Sequence, residues 1–145
     1  MKYGPFLRSF RLENFKAVQK SGTIPLSPLT VLIGNNGSGK SSLIEGLESY
    51  REIIVAGLDT AMKRWYGMGH VWNKHARHNL VAAGAANETY ENPIRFDACG
   101  KTSEGSYRTN MLVTAEPGLN GFAIQDELIN DPSGKEFIRD RSGRC

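Results

Sequence analysis

Leu29-Thr30-Val31-Leu32-Ile33-Gly34-Asn35-Asn36-Gly37-Ser38-Gly39-Lys40-Ser41-Ser42 is the stretch on which the reading of this chain turns. Residues 29–33 are continuously apolar apart from one threonine and rich in β-branched side chains. That texture predicts a short strand buried on both faces of a sheet. Residues 34–41 then match G-x-x-x-x-G-K-[ST], whose four fixed letters would arise by chance in a chain of this size with probability on the order of 1% or less. From Lys40 to about Leu58, Leu43, Leu47, Ile54 and Leu58 recur at helical intervals, with Glu45, Glu48 and Arg51 on the wetter side. The order strand, glycine loop, helix is the one a phosphate-binding loop needs.

The residue types carry the chemistry. A triphosphate brings several negative charges, and the loop must meet them with backbone N–H donors. Gly34, Gly37 and Gly39 allow close approach and positive φ. Asn35 and Asn36 tolerate left-handed geometry better than most residues. The helix start near Gly39 aims unpaired N–H groups and the positive dipole end at the same point. Lys40 supplies a charge to the β- and γ-phosphates, and Ser41 a hydroxyl to Mg²⁺. Ser42 adds a hydroxyl on the α-phosphate side. The candidate binding set is therefore Asn35, Asn36, Gly37, Ser38, Gly39, Lys40, Ser41 and Ser42, with ATP and Mg²⁺ as cofactors and Ser41 as the metal ligand.

Working outward, Phe10, Leu12 and Phe15 sit among alternating polar residues, as in a half-buried strand, and Ile24 to Leu26 resume a paired strand after the Ser21-Gly22 turn. Residues 59–81 continue as helix, with a break expected at Gly67 and Gly69. Residues 84–92 read as a loop. From Pro93 onward, alternating runs around Phe96, Met111 and Ile124, and a short last run at Glu136 to Arg139, are punctuated by Gly100, Gly105, Pro117-Gly118 and Pro132-Ser133-Gly134. They predict an antiparallel meander.

The 145 residues suffice for one domain with a core, and the 39% hydrophobic and 23% charged fractions exclude a disordered composition. No apolar run could span a bilayer and no secretion signal is evident. The two cysteines, Cys99 and Cys145, lack paired spacing and fit a reducing, cytoplasmic setting. The net charge of +3 permits contact with nucleic acid without arguing for it.

The loop Asn36-Gly37-Ser38-Gly39-Lys40-Ser41-Ser42 resembles that of ABC-class ATPase heads of the RecF and SMC type, many of them loosely called AAA-family ATPases. AAA+ proteins in the strict sense usually carry proline and threonine in the loop, and neither occurs here. Upstream, Phe10-Arg11-Leu12-Glu13-Asn14-Phe15-Lys16 resembles the first-strand motif of the same group, at the usual distance from Leu29 to Gly34. The resemblance covers residues 6–58, and the meander, with Glu127-Leu128, is similar in style to that group's β-subdomain. It implies an α/β fold: the N-terminal lobe of a P-loop NTPase with an antiparallel β-meander subdomain, incomplete. Residues 1–145 would be the N-terminal part of one ATPase domain. Its divisions would be strands, Walker A loop and helix (6–58), a helical and loop insert (59–92) and the meander (93–140).

The resemblance further implies a homodimer of heads in the full-length protein, sandwiching two ATP molecules. A Walker B run, a Leu-Ser-Gly-Gly signature and a switch histidine do not occur before Cys145, so hydrolysis is expected only in a longer protein of which this chain is a fragment. Catalytic residues are therefore unassigned. Gln125 occupies the place of a Q-loop glutamine only loosely and reads as a strand-surface residue.

Other groups admit ordinary structural roles. His75 and His78 have helical ligand spacing and His70 lies nearby, but no carboxylate or cysteine joins them, so solvated histidines are the expectation. Lys63-Arg64-Trp65-Tyr66 and Trp72-Asn73-Lys74-His75-Ala76-Arg77-His78 interleave basic and aromatic residues. This suits either a nucleic-acid contact or an amphipathic helical face whose tryptophans enter the core. A nucleic-acid-interaction module and an inactive truncated fragment are the alternatives to an ATP-binding domain. Cys99 reads as a small apolar residue of a strand.

Overall fold

The computed structural model describes residues 6–76, 92–115 and 122–140. The described chain forms β1 (Phe6–Phe15), β2 (Val18–Lys20), β3 (Ile24–Pro25), α1 (Lys40–Ala56), α2 (Leu58–Lys63), α3 (Met68–Val71), β4 (Ile94–Lys101), β5 (Ser106–Ala115), β6 (Phe122–Asn130) and β7 (Glu136–Asp140). The strands make one seven-stranded sheet in the order β2-β1-β4-β5-β6-β7, with β3 pairing β1 as well. Every pairing is antiparallel.

This corrects the expected fold class. The α/β lobe built around a buried strand at residues 29–33 is not formed; the architecture is an antiparallel sheet with short helices against one face. Residues 29–33 are not in a strand, and Leu29, Val31 and Ile33 are 81%, 68% and 92% exposed. The physical reason lies in the strand pairing. One edge of β1 is taken by β2 and β3 in succession and the other by β4. An apolar run gains strand geometry only from a ladder, and residues 29–33 pair with none of the described strands. The meander after Pro93 does form, yet not as a separate subdomain, because β4 pairs β1 from Phe6↔Lys101 to Glu13↔Arg95.

The helical part follows the sequence pattern more closely. α1 begins at Lys40 as expected but ends at Ala56, because Gly57 takes φ 86°. Gly67, at φ 108°, provides the expected break, whereas Gly69 lies inside α3. Residues 77–91 lie outside the described residues, and with them the rest of the expected helix and most of the loop at 84–92.

The core joins alternate β residues to the inner faces of the helices. Phe10, Leu12, Phe15, Ile94, Phe96, Met111 and Val113 meet Tyr50, Ile53, Met62, Val71 and Trp72. The rings form a chain: Phe10 to Tyr50 at 5.8 Å, Tyr50 stacked on Phe96 at 5.8 Å, and Phe15 edge-on to Trp65 at 5.9 Å. Each such buried ring stabilises by about 1.5–3 kcal/mol through area alone. The Tyr50 hydroxyl shares a hydrogen bond with Thr109 of β5.

α1 reaches this depth at Gly46. A Cβ there would collide with the side chain of Leu12, which is fully buried and cannot retreat. Gly46→Ala is therefore expected to destabilise the chain by about 1–3 kcal/mol, a change read from the urea midpoint at unaltered slope. A second expectation concerns alkaline pH. Burial raises Tyr50 above its ordinary pKa of 10.0, with the Thr109 hydrogen bond pulling the other way. The unfolded chain then loses this proton at lower pH than the fold does. Stability from this group is complete below the unfolded pKa and declines as pH rises above about 10. Melts across that range should show a shallower decline for Tyr50→Phe than for the wild type.

Candidate functional site

Residues 34–39 emerge from the unpaired apolar run and feed directly into α1. Two glycines make the turn sterically accessible: Gly37 has φ 83°, and Gly39, the residue preceding the helix, has φ 86°. At Gly39 conformation and space both disfavour a side chain, since φ is positive and a Cβ would stand 3.3 Å from Val18 Cγ2. The loop closes on itself through the Ser38 N–H, which donates to the Asn35 carbonyl at 3.2 Å.

Lys40 curls back over the loop. Its ammonium donates to the carbonyls of Gly34 at 2.6 Å and Asn35 at 2.7 Å, and to Ser38 Oγ at 3.2 Å. The start of α1 is otherwise bare: no side chain caps it and its first turn holds no acidic residue. Its first N–H groups and the positive end of its dipole are thus not neutralised from within.

The loop forms one wall of a cleft of about 670 Å³. Ala17 to Ser21 form the opposite wall, and Ile24, Leu32 and Leu43 also line it. Its lining residues include Lys20 and Lys40 and no carboxylate. Such a lining favours an anion and disfavours a cation. A neighbouring, more apolar cleft of about 530 Å³ is lined by Lys40 and Ser41 together with Phe10, Leu26, Val31 and Ile44.

The structure brings Gly34, Ser38, Gly39 and Lys40 together around one concavity, with Asn35, Asn36, Gly37 and Ser41 exposed beside it. Ser42 is placed differently. It is buried, and its Oγ accepts from the Ala17 N–H at 3.5 Å, so the hydroxyl braces the turn between β1 and β2. That turn is the part of the site that sequence reading missed. Asn14 and Lys16 hold left-handed φ values of 59° and 47°. Asn73, itself buried, accepts no part in any motif yet donates from Nδ2 to the Lys16 carbonyl at 2.7 Å. The only signal lies in the first-strand motif, which contains Asn14 and Lys16.

The remaining candidates fall elsewhere. Trp72 is buried and its indole N–H donates to the Asn92 carbonyl at 2.8 Å, while Trp65 packs on Phe15. Both rings pack with the core, Trp65 only partly buried, while Tyr66 of the same stretch is exposed. Arg64 faces Glu48 at 3.6 Å and Glu52 at 3.5 Å. His70 and His75 are exposed, and among the described residues no cluster of His, Cys, Asp or Glu could hold a metal ion. Arg77, His78 and Cys145 lie outside the described residues. Gln125 sits in β6 where the register with β5 shifts, and Cys99 is a half-buried free thiol of β4. No described helix is long and apolar enough to cross a membrane.

Gly39→Ala should cost about 1–2 kcal/mol of stability from the left-handed φ alone, measurable by thermal unfolding, whereas Ser41→Ala, at an exposed position, should leave the melt within about 0.5 kcal/mol of the wild type.

Residues 6–50 fit the family model described as AAA ATPase domain. The matched stretch runs from β1 to Tyr50 of α1 and includes the whole glycine-rich loop. That stretch, less than half of the chain, is similar to an AAA ATPase domain. No curated protein and no solved structure matches the chain.

Proposed function

We propose that residues 35–42 are a Walker A loop that binds ATP with Mg²⁺, within a RecF/SMC-like ATPase. The observation that carries this reading is the position of Lys40. Its ammonium rests on the carbonyls of its own loop, at the bare start of α1 and at the edge of a cleft free of carboxylates. An ammonium so placed marks where a β- or γ-phosphate oxygen would sit. The phosphates would accept from the first N–H groups of α1 and from the loop backbone, and Lys40 would exchange carbonyl partners for phosphate oxygens.

Ser41 fits the metal. It is exposed, follows Lys40 directly and lines the adjoining cleft, so its hydroxyl is free to act as one oxygen ligand. Bound Mg²⁺ takes most of its ligands from phosphates and water, so one protein oxygen suffices; when bound, it would neutralise charge on the β- and γ-phosphates. Ser42 contributes from behind, by holding Ala17 and thereby the opposite wall.

Binding and turnover separate here. Among the described residues neither cleft at the loop is lined by an acidic side chain that could orient an attacking water. Binding without appreciable hydrolysis is the expected behaviour of this chain by itself. Paired head to head with a second copy, the site would enclose ATP between two heads and gain the missing groups, in a reducing cytoplasm consistent with few cysteines.

A titration with a fluorescent ATP analogue in the presence of Mg²⁺ tests the reading. Lys40→Ala is expected to weaken binding about tenfold or more, through loss of a charge-assisted contact. Equal affinity in wild type and Lys40→Ala would remove the site assignment.

A further inference from the structure

Lys16 takes no direct part in the cleft, since it is absent from the residues lining it. It is nevertheless the most extensively tied residue beside it. Its ammonium is 2.7 Å from Glu45 Oε2, in the second turn of α1. The same ammonium stands 3.8 Å from the ring centroid of Trp65, between α2 and α3, and 5.9 Å from that of Phe15. Its backbone is tied on both sides. The N–H donates to the Val71 carbonyl at 2.6 Å, and the carbonyl accepts from Asn73 at 2.7 Å. All this holds a lysine at φ 47°, a conformation that L-residues rarely adopt without support.

The next two residues explain what the arrangement does. Ala17 donates to Ser42 in the first turn of α1, and Val18 lies in contact range of Gly39. The turn carrying them is the far wall of the phosphate cleft. An ordinary exposed ion pair would fix nothing, because two long side chains in water are held weakly. Here the Lys16 side chain is only 23% exposed and its charge lies over an indole face as well as beside a carboxylate. Shielding and a second partner make the contact directional.

We propose that Lys16 is a positioning residue: through Glu45 and Trp65 it locks the turn between β1 and β2 against α1 and so sets the separation of the two walls that receive the triphosphate. The inference rests on the ATP-binding reading above and adds to it a residue outside the lining of the cleft.

The test uses the whole chain and the same fluorescent ATP analogue with Mg²⁺. Lys16→Met keeps the stem over Trp65 and removes the charge; it should weaken binding about tenfold, as should Glu45→Gln, and the double variant should be no weaker than either single one, because both break one contact. Lys16→Arg, which retains the charge, should bind within about threefold of the wild type. Met111→Ala, a buried β5 change, lowers the melting temperature without touching the turn and should keep wild-type affinity. Wild-type affinity in Lys16→Met, additive losses in the double variant, or an equal loss in Met111→Ala at matched melting temperature would each overturn the positioning role. Should Lys16→Met fail to fold, the comparison of Glu45→Gln with Lys16→Arg decides by the same criteria. Lys40→Ala separates the two readings. If it binds like the wild type, the ATP site itself is wrong and the inference falls with it. If it loses binding while Lys16→Met does not, only the inference falls.

Discussion

The close seating of α1 on β1 governs the rest of the molecule. Gly46 has no side chain where Leu12 needs the space, and the helix therefore lies near enough for Tyr50 and Ile53 to enter the ring cluster around Phe10 and Phe96. A helix fixed at its middle is fixed at its start. The first turn of α1 is held where Ser42 meets Ala17, and the loop must close the remaining gap with two glycines at positive φ. Core packing and site geometry are in this sense one constraint, expressed at opposite ends of a single helix.

Much of this could be read from the residues. α1 was legible because its apolar positions recur at helical spacing and because Gly39-Lys40 marks a start. The strands after Pro93 were legible because alternation and turn residues agree there. Residues 29–33 were not, because their composition reports only that they are apolar. Whether such a run becomes a buried strand depends on a partner in a ladder, and none of the described strands pairs with it. That is a tertiary fact with no local trace. Gly57 ended α1 earlier than its last leucine suggested, since a left-handed φ outweighs one more periodic position.

The candidate site divides in the same way. The half that carries a motif, Gly34 to Ser41, is visible because four fixed letters at fixed spacing mark it. The half made by the turn between β1 and β2 has no motif of its own. Asn14, Lys16 and Asn73 adopt their roles only once the 71–73 segment has packed beside the end of β1, where Asn73 N–H meets the Asn14 carbonyl at 3.0 Å. Ser42, which looked like a ligand residue by adjacency, faces this second half instead.

The unpaired run carries a consequence of a different kind. Leu29, Val31 and Ile33 all stand bare at alternate positions, on a backbone that no neighbouring strand occupies. A short, uncharged, β-branched segment of this kind is a template for strand pairing between molecules. Pro25 and Pro28 lie immediately before it and cannot donate to a ladder, which confines the sticky length to a few residues. The colloidal behaviour of the chain is thus decoupled from its folding stability. A well-packed core can melt cooperatively while concentration, rather than temperature, sets the point at which solutions turn cloudy.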